Sequence, residues 1–173
     1  MEKREAIFAI GHSTRKLSDF IKILDAHSIN LLVDIRTIPR SRHNPQFNKT
    51  VLRRKLRKKG IRYLHLLELG GLRRPLRNSI NLGWRNSSFR GFADYMQTRG
   101  FSDGIARLIE LKKKNRVAIM CAEGNPFRCH RYLVADALTV RKVRLLHISS
   151  RASAREHTLT RFADVKGKKI TYP

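Results

Sequence analysis

Long hydrophobic runs are missing from this sequence. No apolar stretch approaches the roughly 18 residues that a membrane-spanning helix requires. The first residues also lack the apolar segment of a secretory signal peptide. We therefore expect a cytoplasmic protein that does not contact a membrane.

Cysteine is also scarce, because Cys121 and Cys129 are the only two in the chain. Two thiols within one local motif exclude a secreted fold held together by disulfides, so a disulfide between them would be a redox event. Cysteines and histidines at the paired spacings of zinc sites are missing as well. The sequence predicts no metal site and no cofactor.

Acidic residues are few, since 13 Asp and Glu stand against 38 Lys and Arg, which gives a net charge of +25. The hydrophobic fraction of 41% lies in periodic runs, so this charge decorates a folded domain rather than a disordered chain. A strongly basic surface favours an anionic partner. Nucleic acid, anionic lipid and acidic proteins all fit, and the net charge does not choose among them.

Short apolar runs alternate with segments of helical periodicity, which is typical of a parallel sheet covered on both faces. We predict a three-layer α/β fold with a mainly parallel sheet of about five strands, helices on both faces and a long basic loop. The predicted strands cover residues 6–10, 31–35, 61–66, 116–121 and 143–148. The predicted helices begin near residues 17, 48, 104 and 127, the first with Ser18 as its N-cap.

The chain divides into a predicted domain over residues 1–150 and a basic C-terminal extension over residues 151–173. In that extension, residues 169–172 are a candidate edge strand. Residues 67–91 interrupt the alternation with Gly70, Gly71, Pro75 and several arginines beside Trp84. Loops of this length commonly bind ligands, so we favour a binding loop over a segment that caps a sheet edge.

Three loops with charged or reactive side chains follow predicted parallel strands, at residues 11–15, 34–42 and 121–131. Ligands of such sheets bind at the carboxyl ends of the strands. The topology therefore predicts one crevice lined by arginine, histidine and cysteine, which suits an anion. The predicted anion-binding residues are Ser13, Arg15, Arg36, Arg40, Arg42, Arg90, Arg128 and Arg131.

The two cysteines are candidates for thiol chemistry. Cys121 ends a predicted buried strand, and Cys129 is predicted to lie in the first turn of the next helix. A helix N-terminus and a nearby arginine lower the pKa of a thiol, which makes Cys129 the more acidic of the two by this criterion. The six residues between Cys121 and Arg128 do not fit the Cys-to-Arg spacing of cysteine-dependent phosphatases. Alternatively, Cys121 is only a small buried residue at a strand end.

The same loops supply the other groups that thiol catalysis needs. A nucleophilic or redox thiol requires a proton partner and side chains that orient it. The predicted catalytic residues are Cys121 or Cys129 as the thiol, His12 or His130 as its proton partner, and Glu123 and Asp34 as orienting groups.

A basic helix is predicted within residues 35–67, which contain eleven Lys and Arg and no Asp or Glu. Its narrow apolar stripe leaves a basic face that can lie along a phosphate backbone. Aromatic rings beside arginines would stack on the bases of single-stranded DNA or RNA. The predicted nucleic-acid surface consists of Arg53, Arg54, Arg57, Lys58 and Trp84.

Several sequence blocks resemble a prokaryotic family known as domain of unknown function 488. The blocks are IGHSTR at 10–15, VDIRTIPRSR at 33–42, NPQFN at 44–48, IRYLHLLELGG at 61–71, WRNSSFRGFADYM at 84–96 and MCAEGNPFRCHR at 120–131. The resemblance implies an α/β domain with these loops as its signature, and it implies no catalytic mechanism. The unusually basic character belongs to this chain rather than to the family.

Two functions from different classes fit these patterns. The first is a domain that binds nucleic acid or a nucleotide phosphate through the arginines of the crevice and the basic helix. The alternative is a cysteine-dependent enzyme, with a nucleophilic or redox thiol, that could also modify nucleic acid. A third, less specific hypothesis is association with the ribosome or the chromosome through the basic surface.

Overall fold

The computed structural model describes residues 6–173 and has a six-stranded sheet between two layers of helices. Five strands are parallel, in the order β3-β2-β4-β1-β5, and β6 is added antiparallel to β5. The predicted three-layer α/β fold is confirmed, and β6 brings the sheet to six strands instead of about five. The strands are β1 (Ala6–Gly11), β2 (Leu31–Asp34), β3 (Arg62–His65), β4 (Val117–Cys121), β5 (Arg144–Ile148) and β6 (Ala154–Glu156).

Five α-helices cover the sheet, with α1 (Leu17–Ala26) and α2 (Lys49–Arg57) on one face and the other three on the opposite face. Lys16 precedes α1 and no side chain caps it, so the prediction of Ser18 as the N-cap was wrong. Ser18 lies inside the first turn. The helices of the opposite face are α3 (Ser87–Tyr95), α4 (Arg99–Lys114) and α5 (Arg131–Thr139).

The core is divided by the sheet because successive strand residues point to opposite faces. Ile7 and Ala9 of β1 pack toward α3, α4 and α5, whereas Phe8 and Ile10 pack toward α1 and α2. All five residues of β4 are buried, as expected for a central strand covered on both sides. Each large apolar side chain buried in this way contributes about 1.5–3 kcal/mol.

The predicted loop over residues 67–91 contains two short helical segments. A 3-10 helix occupies Leu67–Leu69, and α3 begins at Ser87, where the Asn86 side chain accepts hydrogen bonds from the backbone N–H groups of Ser88 and Phe89. The helical end of this segment was missed because Gly91 weakens the helical pattern. Glycine is needed there, since an added Cβ would lie 2.2 Å from the carbonyl oxygen of Arg73.

The C-terminal segment folds back onto the domain. The edge of the main sheet is formed by β6, whereas the predicted edge strand near residues 169–172 pairs with β7 (Asp164–Lys166) as β8 (Lys169–Thr171) in a separate hairpin. Tyr172 is fully buried, and its hydroxyl group donates a hydrogen bond to Asp136 Oδ2 at 2.7 Å. The predicted domain boundary at residue 150 stays a prediction.

None of the helices within residues 6–173 is long and apolar enough to span a lipid bilayer.

We expect Tyr172→Phe to lower the free energy of unfolding by about 1–3 kcal/mol, because the variant removes a buried hydrogen bond to a carboxylate. Urea unfolding at constant m-value measures the change. Tyr132→Phe is the matched control, because its hydroxyl group donates to the exposed carbonyl of Thr158. A Tyr172→Phe variant as stable as this control would show that the Asp136 contact does not fasten the C-terminal segment.

Candidate functional site

The strand order places β4 between β1 and β2. The helices that follow β1 and β2 cover one face of the sheet, whereas α5, which follows β4, covers the other. A crevice forms at the carboxyl ends of neighbouring strands whose connections leave on opposite faces. The loop after β4 therefore has such a crevice on each side.

A cavity of about 500 Å³ lies at the carboxyl ends of β2 and β4. We call it the thiol cavity, because both cysteines line it. Three of the predicted arginines and four apolar side chains, one of them Ala122, contribute to its wall. The lining includes Arg36, Ile38, Arg40, Leu72, Phe89, Cys121, Glu123, Arg128, Cys129 and His130.

The two thiols are in direct contact, with 2.6 Å between Cys121 Sγ and Cys129 Sγ. Cys121 ends β4, and Cys129 follows the 3-10 helix Pro126–Arg128. Cys129 was predicted in the first turn of α5, but it precedes that helix and has extended backbone angles. The Pro126 turn reverses the chain and brings the second thiol back to the first.

The two thiols have opposite pKa shifts. Burial raises the pKa of Cys121, but the hydrogen bond from Cys129 and the positive charge of Arg131 outweigh burial and lower it below the ordinary thiol value. Burial and the neighbouring Cys121 raise the pKa of Cys129 well above that value. The expectation that Cys129 is the more acidic thiol was wrong, because burial and Cys121 raise its pKa more than the charge and the backbone N–H of Arg131 lower it.

Arg131 is the charged group closest to the thiols. Its side chain is 2% exposed, and its Nη1 atom lies 3.1 Å from Cys121 Sγ and 3.0 Å from the carbonyl oxygen of Glu123. Nη2 donates to the carbonyl oxygen of Gly124. The guanidinium thus fixes the loop after β4 and stabilises negative charge on Cys121.

Close packing beside this loop requires glycine at the end of β1. A Cβ atom added to Gly11 would lie 1.8 Å from the carbonyl oxygen of Glu123 and 2.8 Å from Arg131 Nη1. A side chain at this position would therefore displace the loop that follows Cys121.

His130 lies beside Cys129, with 3.6 Å between His130 Nδ1 and Cys129 Sγ. Its Nε2 atom lies 3.0 Å from the carbonyl oxygen of Ile35, which can only accept, so Nε2 carries the proton in the neutral ring. Nδ1 is then the unprotonated nitrogen and faces the Cys129 thiol. Burial is the main cause that lowers the pKa of His130 to about 4, which keeps the ring neutral at pH 7.

Asp34 and Arg36 form a buried ion pair in which Arg36 Nη2 lies 2.6 Å from Asp34 Oδ2. The Tyr63 hydroxyl group donates to the same carboxylate oxygen, and Arg36 also donates to the carbonyl oxygen of Phe47. Asp34 therefore orients Arg36 at the wall of the thiol cavity and does not itself line it.

The backbone N–H of His12 donates to the carbonyl oxygen of Cys121 at 3.0 Å, but the residue does not line the thiol cavity. Its ring stacks on Phe47 with 4.3 Å between centroids, and Nδ1 donates to the carbonyl oxygen of Ser13. Burial is the main cause that lowers the pKa of His12. Since His12 does not line the thiol cavity, His130 is the histidine that the structure brings to the thiols.

The remaining predicted anion-binding residues are dispersed. Ser13 adopts a positive φ of 50° beside the loop after β4, and Arg15 donates to the carbonyl oxygens of Gly11 and Ser149. Arg90 bonds the carbonyl oxygens of Trp84 and Arg85, and Arg42 is exposed. None of these four residues lines the thiol cavity.

The predicted nucleic-acid surface separates into three places. Arg53, Arg54 and Arg57 line a shallow depression on α2, and Lys58 lines a groove between α1 and α2. Trp84 is partly buried against Phe89, Phe162 and Tyr172. Its ring is part of an aromatic cluster rather than of the basic helix surface.

Several cavity residues were not among the predicted site residues. Leu72, Asn86, Ser88 and Phe89 line the thiol cavity and come from the segment interpreted as a binding loop. Asn86, Ser88 and Phe89 also lie in the block at 84–96 that resembles the family. The interpretation of residues 67–91 as a binding loop stays a prediction. Within the described part of the chain, no group of three or more His, Cys, Asp or Glu side chains is arranged to hold a metal ion.

Fold and site together define a three-layer α/β protein with two contacting thiols at the carboxyl ends of its parallel strands. The family model described as Domain of unknown function DUF488 matches residues 16–138. This match covers most of the chain, so the protein belongs to that family. No curated protein and no solved structure matches the chain.

We expect His130 to remain neutral in the folded protein until the pH approaches 4, as measured by NMR titration of its ring protons. The unfolded chain takes up this proton near pH 6.5, so stability is lost as the pH falls from about 6.5 to about 4. His130→Gln, which can keep a donor toward Ile35, should flatten the fall in this range. An unchanged slope in the variant would contradict the assignment.

Proposed function

We propose that this protein is a thiol-dependent redox enzyme in which Cys121 is the nucleophile and Cys129 is the second thiol of a dithiol–disulfide pair. The 2.6 Å contact between the two sulfur atoms carries this proposal, because two thiols at such a distance form a disulfide without movement of the main chain. Arg40 and Arg128 lie in the wall of the cavity, and their positive charges favour a small anionic substrate.

The first step is attack by the Cys121 thiolate on one sulfur of a substrate disulfide. The substrate S–S bond breaks, a Cys121–substrate disulfide forms, and the first substrate thiolate leaves and takes up a proton. Arg131 Nη1, 3.1 Å from Cys121 Sγ, stabilises the thiolate before attack. The lowered pKa of Cys121 is consistent with this assignment of the nucleophile.

In the second step Cys129 attacks Cys121 Sγ and releases the second substrate thiolate. The Cys129 proton has to leave, because the pKa of this thiol is raised by burial and by Cys121. His130 Nδ1, 3.6 Å from Cys129 Sγ, accepts a hydrogen bond from this thiol and orients it, and the departing substrate thiolate takes up the proton. The substrate disulfide gains two electrons and two protons, and the protein loses them as its own disulfide forms.

Incubation with excess oxidised glutathione, an anionic disulfide, tests the order of attack by mass spectrometry. In Cys129→Ser we expect a stable mixed disulfide on Cys121, whereas the wild type should lose two hydrogens and carry no glutathione. In Cys121→Ser the remaining thiol should react far more slowly, because its pKa is raised in the folded protein. Faster reaction of Cys129 than of Cys121 would overturn the proposal.

Arg40→Ala should slow the same reaction about fivefold, in line with about 1 kcal/mol for a partly exposed charge pair. Arg42→Ala is the matched control, because Arg42 is an exposed arginine two residues away that does not line the thiol cavity. Equal rates in both variants would separate the thiol chemistry from recognition of an anionic substrate.

Polyanion binding by α2 is a second candidate function. Arg53, Arg54 and Arg57 are exposed together along α2, and none of them forms an ion pair with a described residue. Such a face can follow a phosphate backbone without reading bases. This surface lies apart from the thiol cavity, so it would dock a polymer rather than supply a reacting group.

Replacing these three arginines by alanine should weaken binding to single-stranded DNA and lower the slope of log affinity against log salt by about 2, at about 0.7 per contact. Fluorescence anisotropy with a labelled oligonucleotide measures both quantities. Replacing Lys114, Arg151 and Lys168, which are exposed outside α2, removes the same charge and is the control. Equal loss of slope in both triple variants would refute a specific role for α2.

A further inference from the structure

A second cavity, of about 850 Å³, lies between the loop after β4, the beginning of α5 and residues 147–162. We call it the aromatic cavity, because Trp84, Phe127, Tyr132 and Phe162 line it. It shares no lining residue with the thiol cavity. The proposed function uses none of its side chains except Arg131, so the cavity needs a separate explanation.

Buried polar atoms without a partner are concentrated at this cavity. Within residues 6–173 only Trp84 Nε1, Arg131 Nε and His147 Nδ1 are buried side-chain atoms that lack a hydrogen-bond partner. All three residues line the aromatic cavity. Since buried polar groups are normally paired, the coincidence indicates an occupant that carries hydrogen-bonding groups.

A chain of hydrogen bonds leaves one nitrogen of His147 to the cavity. His157 Nε2 lies 2.7 Å from Asp136 Oδ1, and His147 Nε2 lies 2.9 Å from His157 Nδ1. His147 Nδ1 is therefore the ring nitrogen without a partner. Burial is the main cause that lowers the pKa of His147 to about 3, which keeps its ring neutral.

The cavity therefore combines flat rings with polar atoms that lack a partner. Trp84 Nε1 and Arg131 Nε are donors, and His147 Nδ1 belongs to a neutral imidazole ring. The Phe127 and Phe162 side chains are 66% and 43% exposed, so their rings are accessible to a ligand. The ring nitrogens of a planar heterocycle are acceptors for the two donors, and aromatic stacking adds about 1–3 kcal/mol per base.

Positive charge is also available in the lining. Arg155 and Arg161 are exposed, line the cavity and form no ion pair with any described residue. The neighbouring Glu156 is paired with Arg144 instead, at 3.0 Å. Two unpaired guanidinium groups near stacked rings provide a place for a phosphate group.

We propose that the aromatic cavity binds a nucleoside monophosphate, with its base among the aromatic rings and its phosphate at Arg155 and Arg161. This site uses neither thiol and none of the cations on the basic face of α2. Its phosphate contacts come from β6 and the segment after it.

Trp84 is the only tryptophan of the chain and lines the cavity, so its fluorescence reports on binding directly. We expect a saturable change in its emission on titration with AMP. Adenosine and ribose 5-phosphate should each bind about tenfold more weakly or worse, because each lacks one half of the recognised chemistry. Calorimetry with the same three compounds gives a readout that does not depend on the tryptophan.

Arg155→Ala and Arg161→Ala should each weaken AMP binding about tenfold. Arg151→Ala is the matched control, since Arg151 is exposed in the same segment but does not line the cavity, and its affinity should stay within about twofold. His147→Phe, which keeps a ring and removes Nδ1, should weaken AMP and leave ribose 5-phosphate unchanged.

The site is overturned if AMP gives no saturable signal at millimolar concentration by either method. It is also overturned if AMP and ribose 5-phosphate bind alike, or if Arg151→Ala weakens AMP as much as Arg155→Ala does. Those two results would show attraction by the net charge of +25 alone. Loss of thiol reactivity in Cys121→Ser leaves this test intact, because AMP binding uses neither thiol.

Discussion

The buried guanidinium of Arg131 is the constraint on which the site depends. A positive charge with 2% exposure is costly unless it is paired and fully hydrogen-bonded. Here the partners are the carbonyl oxygens of Glu123 and Gly124 and the sulfur of Cys121. The loop after β4 and the sulfur of Cys121 therefore stabilise the same cation. Displacing the loop would remove the two carbonyl contacts of Arg131.

Two cavities arise from the position of β4 in the sheet. The thiol cavity lies toward the loops of β2 and the aromatic cavity toward the end of β5. Arg131 lies between the two cavities. Its Nη1 atom contacts Cys121 of the thiol cavity. The residue also lines the aromatic cavity, and its Nε atom has no partner. The proposed occupant of one side and the proposed reaction on the other are thus separated by a single side chain.

The sequence predicted the part of the molecule that depends on regular periodicity. Buried parallel strands such as β4 are recognised as apolar runs in the sequence. The loops that follow such strands converge at one edge of the sheet, so the sequence could predict that the 121–131 and 34–42 loops line the same cavity. The order of acidity of Cys121 and Cys129 could not be predicted, because it depends on which thiol the Arg131 guanidinium contacts and on how deeply each thiol is buried. The aromatic cavity was missed altogether, since Asp136, His147 and His157 meet only after the irregular C-terminal segment folds back.

The few acidic residues explain why so much positive charge remains unpaired at the surface. Asp34, Asp94 and Asp136 are buried, and each accepts hydrogen bonds that join distant segments. Asp94 holds Leu76, Ser79 and Asn81 of the long loop, and Asp136 holds the C-terminal segment through Thr160 and Tyr172. Carboxylates that organise the interior in this way cannot screen the exterior. The positive potential of the cations on α2 and around both cavities is therefore not neutralised, and it attracts anions to these surfaces. The buried groups determine which side chains each surface presents.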